Sequence, residues 1–192
     1  MRKQQREAIL ALLEETYMGT ETALNYSTPF ELLVAVIMSA QCTDERVNKI
    51  TARIFPKYNT PEKMGALSQE QLEEEIRDCG LFRSKAKNLL ATCKMLTEEY
   101  NSVIPDTVEE LMKLPGVGKK TANVVASIVY KVPAIAVDTH VFRVSHRLGL
   151  AKGDDPLAVE KELQKAIPKN KWSDAHHWLI WHGRKICKAR KP

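Results

Sequence analysis

The chain has 192 residues, 44% hydrophobic, 6% aromatic and 28% charged, which is enough apolar material for a buried core in one or two compact domains. Lysine and arginine number 29 against 24 acidic residues, giving a formal charge of +5 and a pI near 9.0, a modest excess that suits a polyanion partner without requiring one. The apolar stretch Ala8–Leu13 is interrupted by Glu14 and Glu15 and lacks a small-residue cleavage site, so an export signal is not expected. The longest apolar run, Leu32–Ala40, is far short of the ~20 residues that a membrane span needs.

In chain order, the patterning predicts a succession of helices with short breaks. The first covers 3–16. The second covers 29–40, with Thr28 as N-cap, Pro29 in the first helical position and Glu31 as capping-box partner. A third covers 44–57 and closes near Pro56; Thr60-Pro61 opens one further turn. Ser68 to Gln71 begins a helix that Gly80 stops, and 83–100 follows. Thr107 to Lys113 is helical, with Asp106 and Thr107 as N-cap candidates, Glu109 and Glu110 at the capping-box positions, and Pro115 at its end. Lys119 to Tyr130 is helical again, with apolar Val124, Val125, Ile128 and Val129. Val132–Val137 is β-like in composition but has no partner strand, so an extended connection is expected. Helices near 139–148, 156–167 and 173–187 complete the chain, the last two starting at Asp155-Pro156 and Ser173. The fold class is all-α, without internal repeat, low-complexity tract or long linker.

The most informative stretch is Leu114-Pro-Gly-Val-Gly-Lys-Lys-Thr-Ala122, a helix, tight hairpin and helix in succession. Gly116 and Gly118 can adopt backbone angles closed to other residues, and N–H groups at the start of the second helix point where a phosphate can approach closely. Such a hairpin grips a nucleic-acid backbone and reads no sequence; the plain alternative is an αα-corner with a glycine turn. A P-loop is excluded, because Lys120 stands where Ser or Thr is needed and Lys113 where the first glycine is needed.

Leu114–Val125, Ala134–Arg143, Met38–Asp44 and His176–Ile180 together resemble endonuclease III, a bacterial base-excision-repair glycosylase family of the helix-hairpin-helix superfamily. The resemblance spans nearly the whole chain. It implies a six-helix barrel domain at about 22–132 and a second helical domain built from 1–21 and 133–192. It also implies a monomeric bacterial protein of the cytoplasm, associated with the nucleoid through duplex DNA that carries damaged bases or abasic sites.

The same resemblance assigns chemistry. Lys120 matches the family's nucleophile, whose amine attacks the sugar C1′, expels the base and leaves a Schiff base that permits β-elimination of the 3′ phosphate. Its plain alternative is a phosphate contact or a solvated helix lysine. Asp138, in Ala136-Val-Asp-Thr-His140, is an N-cap candidate for the helix at Thr139 and also the carboxylate expected to stabilise the electron-poor sugar or to accept a proton from Lys120, two helix starts meeting at a cleft. Base flipping leaves a gap in the duplex. Gln41 matches the family's wedge, with Leu81 as companion; their plain readings are a helix-terminal polar residue and a core leucine. Gly116, Val117, Gly118 and Lys119 complete the expected DNA contacts.

Basic residues mark both ends: Arg2, Lys3 and Arg6, then Arg184, Lys185, Lys188, Arg190 and Lys191 around Cys187, equally well read as a solvated tail. Trp172, His176, His177, Trp178, Trp181 and His182 lack a metal-ligand pattern and are expected to pack. Cys42, Cys79 and Cys93 form no C-x-x-C pair and are expected to be reduced core thiols. Cys187 resembles the first ligand of the family's [4Fe-4S] cluster, whose pattern is C-x6-C-x2-C-x5-C, but the next ligand position falls beyond Pro192. The expectation is therefore a fragment cut before the cluster loop, with no cluster of its own, since one thiolate cannot hold one; a clusterless relative is the other option.

The function implied is a bifunctional DNA glycosylase and abasic-site lyase acting on oxidised pyrimidines. A non-catalytic hairpin DNA-binding protein remains open. An adenine-mismatch glycosylase is disfavoured, because such relatives generally lack the hairpin lysine and carry an additional domain.

Overall fold

The structure, a computed structural model, describes residues 2–190. In chain order its helices are α1 (Lys3–Tyr17), α2 (Pro29–Ser39), α3 (Asp44–Ile54), α4 (Pro61–Gly65), α5 (Gln69–Glu75), α6 (Phe82–Glu99), α7 (Val108–Leu111), α8 (Lys119–Tyr130), α9 (Thr139–Arg147), α10 (Pro156–Ala166) and α11 (Trp172–Lys185), with a 3-10 turn at Lys169–Lys171. The fold is all-α, with no strand among the described residues. The chain divides into two compact units, Ala23–Tyr130 and a terminal unit of Met1–Thr22 with Lys131–Pro192. None of the described helices is long and apolar enough to cross a membrane.

In the first unit α2 is the axis. Phe30 through Met38 are all buried, so this helix is covered on every side, and α3, α6 and α8 pack around it. Its start is held by Thr28, whose hydroxyl accepts the Glu31 N–H. The Glu31 carboxylate accepts the N–H of Ser27 at 2.6 Å rather than that of Thr28, so the expected capping pair is displaced by one residue. α6 packs on α4 and α5 through Ala86, Leu89, Cys93 and Leu96.

Several element ends differ from the sequence expectation for local reasons. α3 ends at Ile54 because Phe55–Lys57 tighten into a turn. α5 ends at Glu75, and the chain reaches Gly80 through turns closed by bonds such as Cys79 N–H to Ile76 at 2.8 Å. α7 keeps only four residues: Thr107 caps it, but the Glu110 carboxylate accepts from the Tyr100 hydroxyl and from Lys113 instead of returning to the cap. α11 starts at Trp172, so Ser173 lies inside its first turn rather than before it.

The terminal unit has its own core, in which Leu13 and Tyr17 of α1 meet Val141 and Val144 of α9, Val159 and Leu163 of α10, and Trp178 and Leu179 of α11. Residues 132–137 run through this unit without a ladder, and the His176 ring fixes them by a 2.8 Å bond to the Ala136 carbonyl.

Candidate active site and nucleic-acid interface

The hairpin between α7 and α8 is anchored from below. Leu114 and Val117 are buried, the Val117 N–H donates to the Leu114 carbonyl at 3.1 Å, and the Thr92 hydroxyl of α6 donates to the Pro115 carbonyl at 2.9 Å. Gly116 takes φ +77°, and a Cβ there would lie 2.9 Å from both Cβ and Nδ2 of Asn88. Glycine is required at 116 on two counts, dihedral and space.

Gly118 is different. Its φ lies outside the left-handed region and a Cβ would meet nothing within 4 Å, so the expectation that both glycines are needed for their angles is corrected. The open space remains, and no described acceptor takes the Gly118 N–H. Gly118 precedes α8 and has no side chain with which to cap it, so the helix N-terminus is left accessible to an anion. Val117 is also redefined: its side chain is buried and its N–H is used within the turn, so it shapes the hairpin rather than offering a donor. Lys119 and Lys120 are exposed on the first turn of α8.

Asp138 belongs to the terminal unit and is the N-cap of α9, its carboxylate accepting the Val141 N–H at 2.7 Å. It is half-buried, and that hydrogen bond occupies Oδ1.

Gln41 and Leu81 both lie in the first unit, and both adopt left-handed backbone angles, φ 53° and 59°. For non-glycine residues this is unusual and costs about 1–2 kcal/mol each. Gln41 follows α2 and is exposed; Leu81 precedes α6 and is 57% exposed, which excludes the core-leucine reading. The two loops touch, since a Cβ on Gly80 would come within 3.0 Å of the Gln41 carbonyl oxygen.

Three supporting residues carry no motif: Lys85, Asn88 and Thr92. They occupy positions i, i+3 and i+7 of α6, and Lys85 and Thr92 are buried. A polar stripe along the apolar face of a predicted helix was the available signal.

The cysteines are not all core thiols. Cys79 and Cys93 are buried, but Cys42 is only partly so. Burial pushes the Cys79 thiol up and the Cys93 thiol up to about 12, which keeps both inert at neutral pH. Cys187 is buried against the Arg147 guanidinium, 3.2 Å from its sulfur, and Arg143 and Arg147 also hold the carbonyls of Cys187, Lys188 and Ala189. The residues present do not fit an iron–sulfur cluster: Cys187 is the sole cysteine of its unit, and among the described residues no three potential ligands converge.

The aromatic and histidine side chains of α11 go into packing and hydrogen bonds: Trp172 to the Ile167 carbonyl at 2.9 Å, Trp181 to the Glu21 carbonyl at 3.0 Å, and His182 with the Tyr17 hydroxyl at 3.1 Å. Arg184 and Lys185 project into solvent over the Trp181 ring. Lys188 and Arg190 are exposed, while Lys191 lies outside the described residues.

Comparison with known proteins follows the same residues. Positions 34–169 match the HhH-GPD superfamily of base excision DNA repair proteins. The chain is 51% identical to endonuclease III of Rickettsia prowazekii over all 192 residues, covering 91% of that protein. It is 48% identical to endonuclease III of Escherichia coli K12 with the same coverage. A solved structure of a trapped endonuclease III–DNA covalent intermediate superposes with a TM-score of 0.96 at 52% identity, covering 100% of this chain and 91% of that one. The chain therefore belongs to the HhH-GPD superfamily of base excision DNA repair proteins and, within it, to the endonuclease III family of DNA glycosylases.

Proposed function

We propose that this glycosylase is bifunctional, removing oxidised pyrimidines from duplex DNA and then cleaving the resulting abasic site, with Lys120 as the nucleophile. The observation that carries the reading is the hairpin: an exposed amine on the first turn of α8, next to the open space at Gly118. That a 52% identical endonuclease III has been trapped in covalent linkage with DNA supports an enzyme-bound intermediate.

In this scheme the Gly118 N–H and Lys119 bind phosphate, while Gln41 and Leu81 fill the gap left by the extruded nucleotide. Lys120 attacks C1′ as the neutral amine; the C1′–N bond breaks, and its electron pair leaves with the base, which takes up a proton. The lysine nitrogen lone pair then forms a C1′–N double bond as the C1′–O4′ bond breaks, and O4′ keeps that electron pair and takes up a proton. This acidifies the C2′ hydrogen, and removal of that proton expels the 3′ phosphate by β-elimination. Hydrolysis of the imine frees Lys120. Asp138, fixed as an N-cap, supplies the negative charge that favours the cationic sugar and accepts the lysine proton. The terminal domain is the one that corresponds to the cluster domain of the family, and the protein acts as a monomer.

Borohydride reduction in the presence of abasic-site duplex should give a covalent protein–DNA complex that is lost in Lys120→Ala while DNA binding persists. Undiminished trapping in that variant defeats the assignment. Binding without trapping in the unsubstituted protein would indicate a non-catalytic hairpin protein.

A further inference from the structure

Lys85 is 5% exposed, which is rare for lysine unless its charge is matched. Its three donors meet three acceptors, none of them a carboxylate: the Met38 carbonyl at 2.8 Å, the Ala40 carbonyl at 2.6 Å and the Cys79 sulfur at 3.2 Å. Lys85 stands in the first turn of its own helix, where the backbone dipole disfavours a cation. The end it serves is that of α2, where the Ala40 N–H takes the Ile37 carbonyl and Lys85 takes those of Met38 and Ala40.

The Met38 and Ala40 carbonyls belong to the end of α2, which leads into the Gln41 loop, and the Cys79 sulfur belongs to the turn that leads to Leu81. Ala40 immediately precedes Gln41, and Cys79 is two residues before Leu81. The Cys79 thiol donates to the Met38 carbonyl at 3.4 Å, closing the connection from the other side. Gly80 lies against the Gln41 carbonyl, with no room for a side chain except by displacement. Two left-handed non-glycine residues persist only where their surroundings over-determine them. The ammonium head of Lys85 bonds to both sides, beside the single thiol bridge from Cys79.

We propose that Lys85 is a positioning residue that locks the Gln41 loop to the Leu81 loop, so that the two side chains enter the duplex as one preset pair. This rests on the reading of Gln41 and Leu81 as the residues that fill the gap. Lys85 itself touches no DNA in this scheme; it fixes where the wedges stand before DNA arrives.

Lys85→Met keeps the length and apolar volume of the stem and removes the donors. The readout is the rate of borohydride trapping on an abasic site in duplex divided by that on the same site in a single strand, where no gap needs filling. A 2-aminopurine opposite the site reports insertion by its fluorescence. Lys85→Met should lower the duplex-to-single-strand ratio by about 10- to 100-fold, the scale of an ångström-sized misplacement, and abolish the fluorescence change. Gly80→Ala, which presses on the Gln41 carbonyl, should lower the same ratio through the loop contact itself; Lys85→Gln, whose shorter side chain keeps donors but cannot bond both sides, should lower it too and decides the matter if Lys85→Met fails to fold. An unchanged ratio in these variants, or equal losses on both substrates, overturns the proposal. Gln41→Ala and Leu81→Ala separate the two levels. If they lower the ratio and Lys85→Met does not, only the role of Lys85 fails; if they leave it unchanged, the gap-filling reading fails and this inference with it.

Discussion

Replacing each hairpin glycine by alanine should separate folding from DNA binding, because the two glycines are present for different reasons. At Gly116 the substitution forces an L-residue into φ +77°, costing about 1–2 kcal/mol, and drives Cβ to 2.9 Å from Asn88 atoms, an overpacking cost of roughly 1–3 kcal/mol. Together these give about 2–5 kcal/mol, or roughly 4–20 °C in Tm for a chain of this size. At Gly118 the dihedral is ordinary and the space is empty; alanine is a poorer residue before a helix and costs about 0.5–1 kcal/mol. Its methyl group, however, would occupy the approach of the phosphate. Loss of one hydrogen bond to a charged group, about 1.5–3 kcal/mol, corresponds to roughly 10- to 100-fold in Kd. Thermal melting and titration of a duplex carrying a non-cleavable abasic-site analogue, at one fixed salt concentration, measure both quantities. Wild-type affinity in Gly118→Ala, or a melting loss equal to that of Gly116→Ala, would refute this division of roles.

Asp138→Asn keeps an excellent N-cap and removes the charge, so melting should hold within ~0.5 kcal/mol while single-turnover base release falls about 10²- to 10⁴-fold; an active variant would dismiss the carboxylate from the chemistry. Thr92→Val leaves the half-buried Pro115 carbonyl without its 2.9 Å donor and should cost about 0.5–1.5 kcal/mol with a parallel loss of DNA affinity, and unaltered melting would contradict the anchoring role. His140, His177 and His182, all in the terminal unit, titrate below the ordinary imidazole value of 6.5, burial being the main cause in each. The unfolded chain therefore binds more protons than the folded one as pH falls through 6.5 and below, and stability declines in that window, above the range where the depressed carboxylates Glu45, Glu62, Glu70, Glu110 and Glu162 protonate. Melting between pH 5 and 8 should show this fall, reduced in His177→Gln; a flat profile would count against it.

Much of the fold is written in local chemistry. Thr28-Pro29, Thr60-Pro61, Ser68 and Asp155-Pro156 each start a helix because a side-chain oxygen reaches an N–H that the helix leaves unpaired, and that requires only neighbouring residues. Where the reading slipped at Glu110, a group outside the helix intervened, since it bonds to Tyr100 instead of its cap; Ser173 lies inside a helix that begins one residue earlier, at Trp172. Within the site, Gly116 was legible as a dihedral requirement, whereas the distinction from Gly118 depends on Asn88, 28 positions earlier in sequence. The role of Lys85 was hidden for the same reason. Its place in the polar stripe of α6 marks the residue, but its acceptors come from the end of α2 and the turn before α6, so the stripe does not say where the amine goes.

The central claim is that Lys120 forms the bond to the sugar. Borohydride-reduced complex with abasic-site duplex, digested with nuclease and protease and mapped by tandem mass spectrometry, locates the sugar remnant on a single side chain. The expected result is an adduct on Lys120; an adduct on Lys119, or elsewhere with Lys120 unmodified, would contradict the account.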